Sequence, residues 1–419
     1  MIPPIKPAVD ILVGRPSIIQ GMTVLTLGVH IVDVLARPVE SIPAGQDTHL
    51  VEQVRITAAG AAAGTAVDLA RLGVPVASAG AVGDDELGDF LLMIMARHGV
   101  DVAGVARKSG EQTAASILPI RPDGGRPSFH VPGANLGFAL ADLDPARVLG
   151  AKLVHLGGMD ASWGLHDPAF FALLDEARAG GTIITMDLLS NMPDLMPAAK
   201  VFLPHLDYFL PNEEQALMIT GAATVEEAAT ALLAEGLTAA LITLGAHGSL
   251  VATAEGTTHI PALDIEVVDT TGCGDAYCAG FIAALTNGRS VIAAAELGTT
   301  VAARVAGGLG SDAGLKDARN LLSDAGGPGL DAGPDKALKA LSDAGGSGLD
   351  AGPDKALKAL SEAGGSGLGA GPDDALNALS DAGASGLDAG PDKALKAQSD
   401  AGGSGLDAGP DDAPNTLSD

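Results

Sequence analysis

The stretch Asp269-Thr270-Thr271-Gly272-Cys273-Gly274-Asp275, continued by Ala276-Tyr277-Cys278-Ala279-Gly280-Phe281, decides how the rest of this chain is read. An apolar run at 265–268, read as a strand, leads into it, and residues 276–285 carry the pattern of a helix. Gly272 and Gly274 let backbone N–H groups turn toward a ligand with no side chain in the way. A helix N-terminus adds partial positive charge, so the segment reads as a cradle for an anion such as a phosphate group. Asp275 stands at the mouth of that cradle. A carboxylate is unwelcome where only an anion has to bind, but it suits removal of a proton from an attacking hydroxyl. The plainer reading of a lone G-x-G-D is an aspartate capping an ordinary helix; the thirteen-residue run is more specific than that.

Outward from this stretch, strand-like and helix-like runs alternate. Residues 24–27, 76–81, 153–155, 182–186, 208–210 and 239–244 read as buried strands. Residues 62–72, 86–97, 168–179 and 213–220 read as helices, the first stopping at Gly73. The alternation predicts an α/β fold, a mostly parallel central sheet with helices on both faces. Residues 35–57 and 113–130 break the rhythm with Pro, Gly and β-formers. They predict a small β-sheet lid over a cleft, or else two long loops.

Composition sets the outer limits. The chain has 419 residues, a net charge of −28 and 47% apolar residues, enough for a large core. The acidic balance argues against nucleic acid and against anionic membrane surfaces as partners. No run of ~18 uncharged apolar residues predicts a membrane span. Residues 1–21 read as an N-terminal extension without a signal pattern, with Met22 as an alternative start. Cys273 and Cys278 lie too close on one helix for a disulfide, and the expected location is cytoplasmic. One body, residues 22–320, precedes a tail at 321–419 built of nineteen-residue tandem repeats, one of which reads LSDAGGSGLDAGPDKALKA. Each copy holds few leucines and no aromatic, too little for a stacked core, so the expectation for the tail is disorder.

At this point the chain resembles the PfkB carbohydrate kinase family, the ribokinase-like kinases. The signature D-T-x-G-A-G-D of that family is matched at 269–275 except for Cys273 in place of Ala. Further matches follow in family order: Gly28-Val-His-Ile-Val-Asp33, Ala59-Gly60-Ala-Ala-Ala-Gly64-Thr-Ala66, Val82-Gly83-Asp84-Asp85-Glu86-Leu87-Gly88, Pro211-Asn212-Glu213-Glu214 and Thr243-Leu-Gly245-Ala-His-Gly248. The resemblance implies a ribokinase-like fold and an ATP- and Mg2+-dependent kinase acting on a hydroxyl of a small sugar-like substrate. It implies Asp275 as the base and Gly272, Cys273 and Gly274 as an anion hole. Asp33, Gly60, Gly64 and Asn135 would face the acceptor, and Asn212, Thr243, Gly245 and Gly248 the ATP. Glu214 would serve magnesium. Asp269 and Thr271 would lie near a monovalent cation, K+, in members that use one. The lid is where two copies of the chain could pair as a homodimer.

Plainer readings stand beside these. Asp33 could be a turn residue at a strand end, Gly60 and Gly64 could merely permit close packing, and Asn212 could be a helix cap. The chain also departs from the family pattern. Gly64 stands where many of the sugar kinases carry Asn, and Gln215 stands at the Glu of N-x-x-E. Gly157-Gly158 falls where ribokinase itself offers a glutamate. A Glu at 215 is expected to tighten the magnesium requirement if that position lies in the water shell of the ion. The Gly157-Gly158 departure speaks against ribose as the substrate, and the Gln215 and Gly64 departures keep open a second function, a catalytically weakened sugar- or nucleoside-sensing protein on the same fold.

Overall fold

The computed structural model describes residues 24–122, 125–316 and 318–324. The expected N-terminal extension and all but the first few residues of the repeat tail lie outside the described residues. The strands are β1 (Val24–Gly28), β2 (Ile31–Arg37), β3 (Gln53–Ala59), β4 (Val76–Gly83), β5 (Asp101–Lys108), β6 (Ala115–Pro119), β7 (Phe129–Val131), β8 (Leu153–Gly157), β9 (Ile183–Asp187), β10 (Tyr208–Phe209), β11 (Ala239–Thr243), β12 (Ser249–Thr253) and β13 (Gly256–Ile260). The helices are α1 (Ala61–Arg71), α2 (Glu86–His98), α3 (Pro145–Leu149), α4 (Pro168–Ala179), α5 (Met196–Lys200), α6 (Glu213–Thr220), α7 (Val225–Ala234), α8 (Cys273–Thr286), α9 (Val291–Ala306) and α10 (Asn320–Asp324).

Nine strands form the central sheet in the order β13-β12-β11-β10-β9-β8-β1-β4-β5. It is parallel from β5 to β11, and β12 and β13 add an antiparallel edge. Successive strand residues point to opposite faces, and the core splits accordingly. Leu25, Leu27, Val154, Leu156 and Ile242 join one apolar cluster with α4, α6 and α7. Val24, Leu153 and Leu241 join the other with α1, α2, α8 and α9. The sheet is therefore buried on both sides, as its near-continuous apolar strands require.

A second sheet, ordered β3-β2-β6-β7, is the expected lid. It begins earlier in the chain than the sequence suggested, at Ile31, only three residues after β1 ends. The apolar run at 265–268 is not a strand. Its last residue and Asp269 instead donate their N–H groups to Ala306 O at the end of α9, which hooks the signature loop onto that helix. Among the described residues no single helix is long and apolar enough to cross a membrane. Cys273 and Cys278 are both free thiols.

Candidate active site

The parallel strands direct their carboxyl ends to one edge of the sheet, where loops of such folds form clefts. β1 ends there at Gly28, β8 at Gly157, β9 at Asp187 and β11 at Thr243. α8 points its N-terminus at the same edge, because its apolar length is packed between α1 and α9. Two glycines set that last contact: a Cβ at Gly280 would stand 2.8 Å from the Gly298 Cα.

The signature loop is built around Asp269. Its Oδ1 accepts from the Thr271 N–H (2.9 Å) and hydroxyl (2.7 Å), and its Oδ2 accepts from the Gly310 N–H (2.9 Å). The buried carboxylate thus fixes the turn entering α8 and ties it to residues 308–312. Gly272 caps the helix at φ +75, and Ser311 fills the space where a side chain would stand. Gly274 has open space above it. Cys273 donates its N–H to Thr270 O, and the open N-terminus of α8 beside Gly274 suits an anion. The Cys273 thiol is pushed up to about 12, by burial first and then by Asp269, so it is neutral.

Asp275 lies in this first turn, with its carboxyl group directed against α1. A Cβ on Gly64 would come within 2.5 Å of Asp275 Oδ2. Burial first, then Asp187 and Asp33, hold the Asp275 carboxyl well above the usual carboxylate range, and Arg126 opposes them. Asp33 is not at the end of β1. It lies inside lid strand β2, opposite Thr57 of β3 and Ser116 of β6. Burial pushes its carboxyl up to about 6, against a hydrogen bond from Ser116 and the charge of Arg126. The two aspartates therefore come from different sheets, and the lid carries one of them to the other.

The remaining predicted residues fall into two groups. Gly60 caps α1 beside Val29 of the β1–β2 turn, and Gly245 and Gly248 flank a short turn after β11. Thr243 pairs with Asn212 in an isolated bridge, which brings these loops together at one end of the cleft. Asn212 and Asn135, by contrast, use their side chains on the protein. Asn212 caps α6 by accepting from the Gln215 N–H and donates to Asn191. Asn135 brackets the His30 backbone, accepting from its N–H and donating to its C=O, so it braces the turn before Asp33. Glu214 is exposed and accepts from Asn191. Gln215 is buried, accepts from the Asn212 N–H and donates to the carbonyls of Leu188 and Ser190.

Sequence reasoning missed several groups. Asp187, at the end of β9, stands 3.5 Å from His155 Nε2, and neither facing atom has a hydrogen-bond partner. With Cys278 these form one buried group of ligand-type atoms within 4.8 Å of one another, distinct from the residues expected to serve metals. Asp160 accepts from the Leu189 and Ser190 N–H groups and shapes the loop after β9. Arg126 of the lid is the cation whose charge reaches Asp33, Cys273 and Asp275. No local pattern marks these residues; strand order alone makes them neighbours.

Comparison with known proteins places the chain in a family. The model of the family described as pfkB family carbohydrate kinase matches residues 24–318. Aminoimidazole riboside kinase of Salmonella typhimurium is 32% identical over 242 residues, 54% of this chain and 73% of the relative. The crystal structure of adenosine kinase from Sinorhizobium meliloti superposes with a TM-score of 0.62 at 26% identity, covering 72% of this chain and 99% of that one. A putative ribokinase II from E. coli, solved in complex with ATP and Mg2+, gives 0.63 at 22% identity over 72% and 99%.

Proposed function

The chain belongs to the pfkB family of carbohydrate kinases, and from that premise we propose that it moves the γ-phosphoryl group of ATP to a hydroxyl of a small polyol-like acceptor, with Asp275 as the base. The observation that carries this reading is the placement of Asp275. Its carboxyl lies over Gly64 at the N-terminus of α8, within electrostatic reach of Asp33 on the lid. In this reading Asp33 accepts a hydrogen bond from the acceptor and fixes its orientation. Asp275 takes the proton as the attacking oxygen forms its bond to phosphorus. Burial raises the proton affinity of Asp275, which favours that transfer once the group is ionised. The N–H groups around Gly272, Cys273 and Gly274 stabilise charge on the transferring group. Thr243, Gly245 and Gly248 form the wall for the nucleotide. Exposed carboxylates such as Glu214 suit an ion held through water, and Mg2+ when bound supplies charge neutralisation on the phosphates.

The departures that favoured a non-catalytic protein have packing explanations. Gly64 leaves room for the Asp275 carboxyl. Gln215 is half of a helix cap. A side chain on Gly157 would strike the Ala62 N–H at 2.4 Å, so the end of β8 has no room for one. Asp275→Asn tests the reading. Turnover of ATP with a panel of sugars, sugar acids and nucleosides should fall by ~10²–10⁴-fold, while calorimetry finds the binding of a non-hydrolysable ATP analogue retained. Near-normal turnover in this variant would remove Asp275 from the role of base.

A further inference from the structure

A second cleft, of about 710 Å³, lies at the far end of α1. That helix starts at Gly60, passes beneath Asp275 at Gly64, and ends with Arg71 in the wall of the second cleft. Gly64 and Arg71 are about 10 Å apart along its axis, at 1.5 Å per residue. None of the residues assigned above to acceptor, nucleotide or proton transfer lines this cleft.

Its charge opposes that of the molecule. In a chain of net charge −28, Arg55, Arg71, Arg97, Lys316 and Arg319 line the cleft against one carboxylate among the described residues, Asp312. Asp312 is paired with Arg55 and Arg71. Arg97, Lys316 and Arg319 have no ion pair among the described residues. Arg71 and Arg97 sit in the last turns of α1 and α2, where a cation complements the helix dipole. Lys316 and Arg319 lie between α9 and α10 and have no such reason to be there.

Two polar groups in the residues of the wall are unsatisfied. The hydroxyl of Thr57, a residue 4% exposed, and the Nε of Arg71 both belong to residues lining the cleft, and neither atom has a hydrogen-bond partner. Buried polar groups left so are costly. Guanidinium forks match phosphate oxygens in pairs, and the excess of cations suits a multiply charged anion. Val67, Ile94 and Leu309 supply an apolar side for an organic moiety.

We propose that this cleft binds a phosphate-bearing small molecule at a site separate from phosphoryl transfer. The cleft shares a wall with the anion-hole turn. Leu309 and Asp312 face it, while Gly310 between them donates to Asp269 and Ser311 packs under Gly272. Asp68 of α1 is fully buried between the two sites, with no partner for either oxygen. Binding here therefore has a physical route to the reaction.

Calorimetric titration of the full chain with inorganic phosphate, pyrophosphate and fructose 6-phosphate tests the proposal. Each probe is added with the nucleotide site saturated by a non-hydrolysable ATP analogue and magnesium. The expected result is one site per chain for at least one probe. Its affinity should fall roughly tenfold or more in the double variant Lys316→Glu with Arg319→Glu, both exposed and outside the kinase machinery. Equal affinity for pyrophosphate and the sugar phosphate would identify the phosphate groups as what is recognised, and tighter sugar phosphate would add the apolar wall. Should the double variant melt early, Arg97→Ala gives the same readout from a different element. No binding of any probe to the wild-type chain, or unchanged affinity in a folded variant, overturns the proposal.

Discussion

Asp275 lies in a ring of charge whose members come from four parts of the chain. Asp187 and Asp33 raise its proton affinity after burial does, and Arg126 lowers it. In the proposed role of base Asp275 must be ionised to act, so the acidic limb of the pH–rate profile is expected to follow its apparent pKa. Asp187→Asn removes a negative neighbour and should move that limb to lower pH. Arg126→Ala removes the cation and should move it to higher pH. Shifts of the same sign in both variants would contradict the arrangement. Gly64 makes a second test. A methyl group there stands 2.5 Å from Asp275 Oδ2, the movable end of a side chain, so Asp275 would yield rather than the helix. Alanine is also favoured over glycine in a helix by about 1 kcal/mol. Gly64→Ala should therefore keep or raise the melting temperature while turnover drops on the order of 10²-fold, the cost of a misplaced reacting group.

At the scale of elements, α6 shows how a motif position can change its work. Gln215 forms a capping box with Asn212 and also donates to Leu188 and Ser190 after β9. A glutamate cannot donate, so Gln215→Glu leaves two carbonyls without that partner and places a charge in a buried position. The expected cost is about 1–3 kcal/mol, read by denaturant unfolding, with the magnesium dependence of activity unchanged. This reverses what the sequence suggested for that substitution, because the motif locates the residue but not the direction of its amide. The lid teaches the same lesson. Residues 35–57 and 113–130 were legible as a β-sheet from their composition, yet its first strand begins at Ile31 and takes Asp33 with it. Register across β2, β3 and β6 then surrounds Asp33 with Thr57 and Ser116, pairings that no spacing along the chain encodes.

At the scale of the molecule, the lid leaves one face uncovered. Val54, Ile56, Ile117 and Phe129 are between 47% and 60% exposed, and all four belong to lid strands. Apolar side chains gathered on one small sheet favour pairing with a second copy. Ile117→Asp should accordingly shift the mass measured by light scattering from dimer toward monomer, with the melting behaviour of the central sheet preserved. A wild-type chain that is monomeric at all concentrations would rule that assembly out.

The sequence by itself determined the class of fold, the order of most strands and helices, and the glycine loop that opens α8. Those features rest on local causes: apolar period, helix caps, and glycines where backbone must approach closely. It also placed Asp275 at the head of α8, because the helix begins where the glycines end. Only the tertiary structure decided that Asp275 leans on Gly64, that Asn135 braces His30, and that the apolar run at 265–268 hooks onto α9 instead of pairing as a strand. It alone gathered Asp187, Arg126 and the basic cleft at the end of α1. Contacts of this kind join residues tens to hundreds of positions apart, and their partners are chosen by strand order and helix packing rather than by anything written beside them.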